Sequence, residues 1–364
     1  MIRKILLIVG TRPNLVKITQ FKKEVQNFPN LEIRIAHTGQ HHTKKMSSIF
    51  LEQFNIEIDY FLGLSELSPN SLIGEIIIKL ELVINTYKPD LILCVGDVNS
   101  TLATAICANK MNVKLGHIES GLRSNDKTMP EEINRILTDE ISDICFVTEQ
   151  SGLDNLVDYK PNKAIEFVGN TMIDTLISFQ NQIDKSSILE EIDVKKQHYF
   201  LLTMHRPSNV DDKKSLQKII ELLNQLADIH KVVFPIHPRT ENSFKKFELY
   251  NEMVSIKNVK LIPPQGYFAF QKLIKYSFCV ITDSGGIQEE TTFQQIPCIT
   301  LRENTERPVT ITEGTNTLKS FDNQQIINVI DDIKTGKYKK GTIPKFWDGN
   351  ATYRILQKCN QLLS

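Results

Sequence analysis

The sequence has no long hydrophobic run. Lys, Glu or Pro interrupts every apolar segment before it reaches the ~18 to 20 residues that a membrane-spanning helix needs. The first apolar segment stops at Gly10, which is too early for the hydrophobic region of a secretory signal and is typical of a buried first strand. We therefore expect a protein that does not enter a membrane.

The sequence also has no excess of charge of either sign. Its 43 Lys and Arg residues balance 43 Asp and Glu residues. A neutral chain has no general electrostatic attraction to nucleic acid or to an anionic membrane, so an anion could be attracted only by a local basic pocket. We predict no nucleic-acid partner.

Paired cysteines are missing as well. The sequence has no CxxC pair, and its six single cysteines are Cys94, Cys107, Cys145, Cys279, Cys298 and Cys359. Scattered thiols of this kind are typical of a reduced, cytoplasmic protein. His41 and His42 have no third ligand at a suitable spacing, and adjacent side chains point apart, so we assign no metal.

Two common nucleotide-binding motifs are absent. The sequence contains neither a GxGxxG fingerprint after its first strand nor a GxxxxGK[ST] loop. These absences disfavour a nicotinamide-dependent enzyme and a P-loop NTPase.

What is present is a regular alternation of short β-branched apolar runs and longer amphipathic segments, one of which begins at Thr43. Strands are predicted at Ile2–Val9, Glu32–His37, Leu91–Val95, Val113–His117, Ile144–Val147 and Ala164–Phe167 in the first half. The second half predicts strands at His198–Thr203, Val232–Ile236, Val259–Ile262, Phe278–Thr282 and Cys298–Leu301.

This pattern predicts an α/β fold of two Rossmann-like, doubly wound domains facing a cleft. A length of 364 residues agrees with two domains, since single cores stop growing near ~250 to 300 residues. We place the domains at residues 1–175 and 176–347, with a C-terminal helix at about 348–364 that could pack back on either domain, the first being the one we assign it to.

Ligands of such folds bind beyond the carboxyl ends of the strands, so the polar residues there are candidates. In the first half, Asp97, Glu119 and Glu131 are candidates for acid–base work on one substrate. Each has a structural alternative: Asp97 as a helix cap, Glu119 as an ion-pair partner of Arg123, and Glu131 as a complement to a helix dipole.

The second half offers a histidine and a glycine turn. His205 follows a predicted strand, and Ser284-Gly285-Gly286 follows another strand and opens a helix. Free N–H groups at a helix N-terminus suit a phosphate, although a plain N-cap is the alternative. Glu290 lies one turn further on, where a carboxylate can accept hydrogen bonds from ribose hydroxyls.

Several short motifs occur in register along the chain. They are Gly10-Thr11-Arg12-Pro13, Thr38-Gly39-Gln40-His41, Gly96-Asp97, His117 to Arg123, Pro130-Glu131-Glu132 with Asn134-Arg135, His205-Arg206, Asp283 to Glu290 and Thr305-Glu306-Arg307-Pro308. Together they resemble the non-hydrolysing UDP-N-acetylglucosamine 2-epimerase family, which has the glycosyltransferase-B architecture. Asn14 departs from the pattern, since many relatives have Glu there.

The resemblance implies roles for individual residues. The uridine diphosphate would be bound by Arg12, Lys17, Gln265, Phe270, Ser284, Gly285, Gly286, Glu290 and Arg307, with Gln265 and Phe270 near the uracil. The sugar would face Asp97, Glu119, Glu131 and His205. A homodimer that serves polysaccharide biosynthesis is also implied.

The family's reaction eliminates UDP to give 2-acetamidoglucal and adds it back with the C2 proton on the other face. It requires no redox cofactor. Epimerisation of UDP-2,3-diacetamido-glucuronate or of a 6-deoxy amino sugar, a hydrolysing epimerase, a glycosyltransferase of the same architecture and a nucleotide-sugar sensor are the alternatives.

Overall fold

A computed structural model describes residues 2–39, 50–65, 68–159 and 163–364. Contacts within the chain divide it into two compact units. Unit 1 comprises Met1–Ser178 and Lys345–Ser364, and unit 2 comprises Phe179–Pro344. The helical segment predicted from Thr43 begins outside the described residues. His41 and His42 also lie outside them.

Unit 1 is built on a seven-stranded sheet whose paired strands are all parallel. Its strands are β1 (Arg3–Val9), β2 (Leu31–His37), β3 (Tyr60–Phe61), β4 (Leu91–Val95), β5 (Lys114–Ser120), β6 (Ile144–Val147) and β7 (Ala164–Phe167). The spatial order is β3-β2-β1-β4-β5-β6-β7, so the winding direction reverses between β1 and β4. Every residue of β4 is buried, because helices cover both faces of such a sheet.

The helices of unit 1 follow the strands. They are α1 (Arg12–Val16), α2 (Phe21–Glu24), α3 (Pro69–Tyr87), α4 (Asn99–Lys110), α5 (Pro130–Ile141), α6 (Gln150–Asn155) and α7 (Thr171–Ser178), with 3-10 turns at Val25–Asn27 and Val157–Tyr159. Helix α3 begins where Ser68 accepts a hydrogen bond from the Ser71 amide and Pro69 occupies the first position. It ends at Lys88 in a left-handed conformation.

Unit 2 repeats this architecture with six parallel strands in the order β10-β9-β8-β11-β12-β13. The strands are β8 (Tyr199–Thr203), β9 (Lys231–Pro235), β10 (Val259–Ile262), β11 (Cys279–Thr282), β12 (Cys298–Leu301) and β13 (Asn316–Lys319). Its helices are α8 (Gln180–Lys185), α9 (Ile188–Glu191), α10 (Pro207–Val210), α11 (Lys213–Ala227), α12 (Pro238–Lys246), α13 (Tyr250–Ser255), α14 (Tyr267–Tyr276), α15 (Gly285–Gln294), α16 (Val309–Thr312) and α17 (Asn323–Lys334).

The C-terminal segment belongs to unit 1 and ends in α18 (Ala351–Leu363). The indole of Trp347 is buried and donates a hydrogen bond to the Thr148 carbonyl over 3.1 Å. The Asp174 carboxylate accepts the amides of Ala351 and Thr352, so it caps the free N–H groups at the start of the helix. A buried aromatic anchor and a helix cap thus attach the chain end to unit 1.

Two parallel, doubly wound sheets confirm the predicted fold class. The sequence analysis missed the edge strands β3 and β13, because two residues are too few to show a pattern and Asn316–Lys319 is polar. It also ended β5 too early, at His117, whereas the strand continues through a bulge to Ser120. Among the described residues, no helix combines the length and apolar character needed to cross a bilayer.

Candidate active site

In each unit the candidate residues gather where the winding of the sheet reverses, which is where ligands of such folds bind. In unit 1, Arg12 follows β1, Asp97 follows β4 and Glu119 lies near the end of β5. In unit 2, His205 follows β8 and Ser284 follows β11.

Asp97 is held by an arginine. Its Oδ2 accepts hydrogen bonds from Nε and Nη2 of Arg135 over 3.0 and 2.7 Å. Arg135 Nη1 also donates to Glu132 over 2.5 Å, and Asn134 donates to the Asp97 carbonyl. Two N–H groups of one guanidinium thus meet one carboxylate oxygen of Asp97 and leave its other oxygen outside this ion pair.

Glu119 forms a buried ion pair with Lys17. Both side chains are less than a tenth exposed, and Lys17 Nζ donates to Glu119 Oε2. The resemblance implied a phosphate contact for Lys17, but the structure directs its ammonium group to a carboxylate. A buried carboxylate needs such a partner, since burying an isolated charge is costly.

The backbone at Glu119 is strained. Its φ is +71°, in the left-handed region that non-glycine residues avoid, and the β5–β6 register shifts there. Such an outlier persists only where the surroundings over-determine it, and it is a feature of functional sites. The bulge directs Glu119 towards Gly96, where an added Cβ would lie 3.3 Å from Lys17 Nζ and 3.6 Å from Glu119 Oε2.

A buried network supports this bulge. His117 Nδ1 lies 2.7 Å from Asp139 Oδ1, and His117 Nε2 lies 2.8 Å from the Gly96 carbonyl oxygen. Asp139 also accepts from the Gly121 amide and from Arg123 Nη1 over 2.6 Å. Burial alone would raise the pKa of Asp139, but the hydrogen bond from His117 and the charges of His117 and Arg123 lower it. Arg123, expected as the partner of Glu119, binds Asp139 instead.

Asn14 and Arg12 complete the first half of the site. The Asn14 side-chain oxygen accepts from the Gly10 and Thr11 amides, and its nitrogen donates to the Val95 carbonyl, which ties the β1 turn to the end of β4. An amide is needed here because one group must both accept and donate. The Arg12 guanidinium lies 5.3 Å from the centre of the Phe50 ring, and burial lowers its pKa.

Glu131 is the remaining carboxylate of unit 1. It is half-buried in the first turn of α5, on the same helix face as Arg135 and one turn before it. Residues four apart on a helix are neighbours, so Glu131 lies beside the arginine that holds Asp97.

The glycine turn of unit 2 lies against an arginine. Ser284 is the N-cap residue of α15, but its side chain does not accept a hydrogen bond from the first turn of the helix. The amides at the start of α15 are therefore available for an anion. A Cβ on Gly285 would come within 2.8 Å of Glu306 Oε1 and 3.1 Å of Arg307 Nη1. Only glycine therefore fits between this helix start and Arg307.

Arg307 belongs to a buried ion cluster. It pairs with Glu306 through Nη1 and with Glu289 through Nε over 2.7 Å, and Arg302 pairs with Glu306 over 2.8 Å. All four side chains are nearly inaccessible to solvent, and their formal charges cancel. The cluster brings a guanidinium to the start of α15 without leaving an uncompensated buried charge.

Glu290 is buried in α15 rather than exposed to a solvent-filled pocket. Burial, with a smaller contribution from the charge of Glu289, raises the pKa of Glu290 to about 8, although the nearby Gln271 amide lowers it. The carboxyl group is therefore mainly protonated at neutral pH and can donate as well as accept a hydrogen bond.

His205 is oriented by Asp283. Its Nδ1 lies 2.9 Å from Asp283 Oδ1, and its imidazole centroid lies 5.4 Å from that of His237. Asp283 is fully buried, whereas the His205 side chain is 41% exposed. Burial would raise the pKa of Asp283, but the hydrogen bond and charge of His205 and the amides of Arg206 and His205 lower it.

The two residues assigned to uracil lie on the α14 side of unit 2. The Gln265 side chain donates to the Pro263 carbonyl over 2.7 Å, one residue before Gly266 caps α14. Phe270 is half-buried and packs on a core cluster of unit 2. Their contact with a base stays a prediction.

Sequence reasoning missed the residues that position the others. Asn14, Asp139 and Asp283 each form several hydrogen bonds with residues in or near strand ends, yet none was assigned to the site. Their partners lie far away in the sequence, as in His117 with Asp139 and His205 with Asp283. The one available signal was position, since Asp283 directly precedes the glycine turn.

The chain is similar to known proteins over nearly its whole length. A family model described as UDP-N-acetylglucosamine 2-epimerase matches residues 23–360. A Methanococcus maripaludis protein named UDP-N-acetylglucosamine 2-epimerase homolog is 37% identical over 99% of this chain and 100% of its own. A Pseudomonas aeruginosa UDP-2,3-diacetamido-2,3-dideoxy-D-glucuronate 2-epimerase is 38% identical over 97% of this chain and 98% of its own.

A solved structure is similar over nearly the whole chain. The crystal structure of the Methanocaldococcus jannaschii UDP-GlcNAc 2-epimerase in complex with UDP-GlcNAc and UDP has a TM-score of 0.88 and 35% identity. The match covers 98% of this chain and 99% of that one.

Proposed function

The chain belongs to the UDP-N-acetylglucosamine 2-epimerase family, and from that premise we propose that it interconverts UDP-GlcNAc and UDP-ManNAc without hydrolysis. The observation that carries the proposal is the strained, buried Glu119 beside Lys17, at the same sheet edge as Asp97. Carboxylates in such a setting suit proton transfer at a carbon atom. The enzyme is thus a UDP-sugar isomerase.

The chemistry explains why carboxylates and a histidine suffice. C2 of the sugar has no adjacent carbonyl carbon, so its proton is too weakly acidic for simple removal and return. Instead, a base takes the C2 proton while the C1–O bond breaks and its electron pair leaves with UDP, giving 2-acetamidoglucal. Readdition of UDP to C1 with protonation of C2 on the other face gives the epimer. Asp97, Glu119, Glu131 and His205 are our candidates for the base and the acid.

The leaving diphosphate needs charge stabilisation. We assign this role to Arg12, to Arg307, to the Ser284 side chain and to the amides of Gly285 and Gly286, because fixed donors stabilise developing charge without reorganisation. Glu290 is assigned to the ribose, and Gln265 and Phe270 to the uracil. The contact with Glu119 supports a different role for Lys17, which is to hold this carboxylate in place.

The test is proton NMR of the purified protein with UDP-GlcNAc in deuterated water, without cofactor or acceptor. We expect UDP-ManNAc with deuterium at C2. Free N-acetylmannosamine with UDP would instead identify a hydrolysing epimerase, and the absence of turnover despite UDP binding would refute the substrate assignment.

A second substrate is favoured by one observation, the 38% identity to the Pseudomonas enzyme. UDP-2,3-diacetamido-glucuronate carries an additional acetamido group and a carboxylate, so it requires further polar partners. Measuring kcat/KM for both sugars on one preparation decides between them. We expect the larger value for UDP-GlcNAc.

We also propose a homodimer and a cytoplasmic location. Ile78 and Leu82 lie one turn apart on α3 and are 65% and 64% exposed, which supports an apolar contact between copies. Light scattering should give twice the chain mass, and a monomer for the Ile78→Glu, Leu82→Glu variant. A monomeric native protein at micromolar concentration would exclude the dimer. All six cysteines are buried free thiols, which supports a reducing compartment.

A further inference from the structure

The carboxylate of Asp283 is surrounded by donors from the loop after β8. Its Oδ2 accepts the amides of His205 and Arg206 over 2.9 and 2.8 Å and the Asn209 side chain over 3.2 Å. Its Oδ1 lies 2.9 Å from His205 Nδ1 and also receives a longer bond, 3.2 Å, from the His205 amide. One carboxylate therefore organises the backbone of the loop with one oxygen and the imidazole with the other.

This arrangement selects one protonation pattern of His205. An ionised carboxylate only accepts hydrogen bonds, so the ring nitrogen that faces it must carry a proton. In the neutral imidazole the proton is then on Nδ1, and the lone pair is on Nε2. Because the Asp283 side is buried and the His205 side chain is 41% exposed, Nε2 belongs to the accessible part of the ring.

We propose that Asp283 is a positioning residue of the reaction, which holds His205 in the Nδ1–H tautomer and presents Nε2 to the sugar for proton transfer. The catalytic part of this proposal rests on the proposed function, whereas the tautomer does not. Asp283 does not itself take up the proton, since its four donors stabilise the carboxylate.

The position of Asp283 in the chain links the His205 loop to the glycine turn. It directly precedes Ser284, the N-cap of the helix assigned to the diphosphate. The loop that carries His205 and the turn that binds phosphate are therefore held by one residue, so the imidazole keeps a set position relative to the leaving group. Two other titratable or charged groups lie near His205 in the described part of the chain: His237, whose ring is tilted by 40° against the imidazole, and the neighbouring Arg206.

The variant Asp283→Asn distinguishes the roles of the two carboxylate oxygens of Asp283. Three donors gather at Oδ2, so the amide oxygen takes that position and the NH2 group faces His205 Nδ1. The variant thus keeps the loop bonds and forces the His205 proton onto Nε2. We expect kcat to fall by about 100-fold or more, in the range that general acid–base catalysis contributes, with the Kd for UDP little changed.

Two further variants make the test specific. In a His205→Gln background, adding Asp283→Asn should lower kcat by less than about threefold, since residues that act as a unit are not additive. Asn209→Ala removes a different donor from the same carboxylate and should retain kcat. Equal losses from Asp283→Asn in both backgrounds would overturn the positioning role.

A spectroscopic measurement reads the tautomer of His205 directly in the unmodified enzyme, with one variant used only to assign its signals. With ¹⁵N-labelled histidine, the His205 signals, identified by their loss in His205→Gln, should show a protonated Nδ1 and an unprotonated Nε2 at pH 8. The opposite pattern would overturn the proposal whether or not the protein epimerises UDP-GlcNAc. A correct tautomer with no turnover of UDP-GlcNAc would refute the proposed function alone.

Discussion

The two units place opposite kinds of groups at the same point of similar sheets. In unit 1 the candidate catalytic groups are carboxylates, each held by a cation: Glu119 by Lys17 and Asp97 by Arg135. In unit 2 the candidate anion-binding group is Arg307, held by the carboxylates of Glu289 and Glu306. The same fold therefore suits proton transfer where a cation holds a carboxylate that faces the ligand, and anion binding where carboxylates hold an arginine that faces the ligand.

The difference also concerns how the groups are oriented. Unit 1 relies on a strained backbone at Glu119, which a buried His117–Asp139 network supports. Unit 2 relies on helix N-terminal amides and on a side chain, Asp283, that orients a histidine. The comparison leads to four predictions, given in order of decreasing effect.

The largest effect is expected for Asp97→Asn, which removes a negative charge from unit 1 and keeps the shape of the side chain. If unit 1 carries the proton transfer, kcat should fall by roughly 10³-fold, about 4 kcal/mol in activation free energy. The Kd for UDP should change little, because most groups assigned to UDP lie in unit 2. NMR turnover and calorimetry measure the two quantities.

The exposed Asp154→Asn is the matched control for charge removal and should keep full activity. If Asp97→Asn keeps more than about a tenth of kcat, Asp97 is not the acid or base of the reaction.

The second prediction concerns Lys17→Met. It leaves the buried Glu119 without its cation, so the free energy of unfolding should fall by about 3 kcal/mol. Replacing both partners, as Lys17→Met with Glu119→Gln, should recover most of this stability but not the activity. Urea denaturation followed by circular dichroism measures the change.

A phosphate contact of Lys17 would produce the opposite pattern. The single variant would then lose affinity for UDP and keep its stability. This experiment therefore distinguishes the structural assignment of Lys17 from the one that the family resemblance implies.

The third prediction concerns the pH dependence of Glu290. Its pKa is raised from 4.5 to about 8 on folding, so the folded state binds the proton more tightly than the unfolded state. Stability is fully present below pH 4.5 and is lost as pH rises through 8, by about 2 kcal/mol between pH 6 and 8.5. Glu290→Gln should abolish this part of the slope.

Urea denaturation of both proteins at the two pH values measures the difference. The exposed Glu252→Gln serves as control and should follow the wild type. Parallel pH slopes for wild type and Glu290→Gln would show that Glu290 is ionised at neutral pH in the folded chain.

The smallest effect is expected for an exposed pair. Arg239 binds Asp211 through Nε and Nη2 over 2.9 and 2.5 Å, but both side chains are more than 40% exposed. Solvent screening limits such a pair, so Arg239→Gln should change the free energy of unfolding by less than about 1 kcal/mol. A loss comparable to that of Lys17→Met would refute the distinction between buried and exposed pairs.

Much of the fold was predictable because its signals are local. The buried runs Leu91–Val95 and Ile144–Val147 were predicted with the bounds that the structure gives, since parallel strands covered on both faces are apolar throughout. The bulge at Glu119 was not predictable, because its residue type does not favour a positive φ and the bonds around it join His117 and Gly121 to Asp139 on another element. Edge strand β13 was missed for a related reason, since its pairing with β12 outweighs a polar sequence.

The fold class, the positions of most strands and the candidate residues at strand ends were predictable from the sequence, because periodicity and residue type act over a few positions. Which of these groups are partners depends on the folded chain. The partners are far apart in the sequence: 102 residues separate Lys17 from Glu119, 38 separate Asp97 from Arg135, and 78 separate His205 from Asp283. Ion pairs and hydrogen bonds form only between atoms that are close in space, and separation along the sequence does not give that distance.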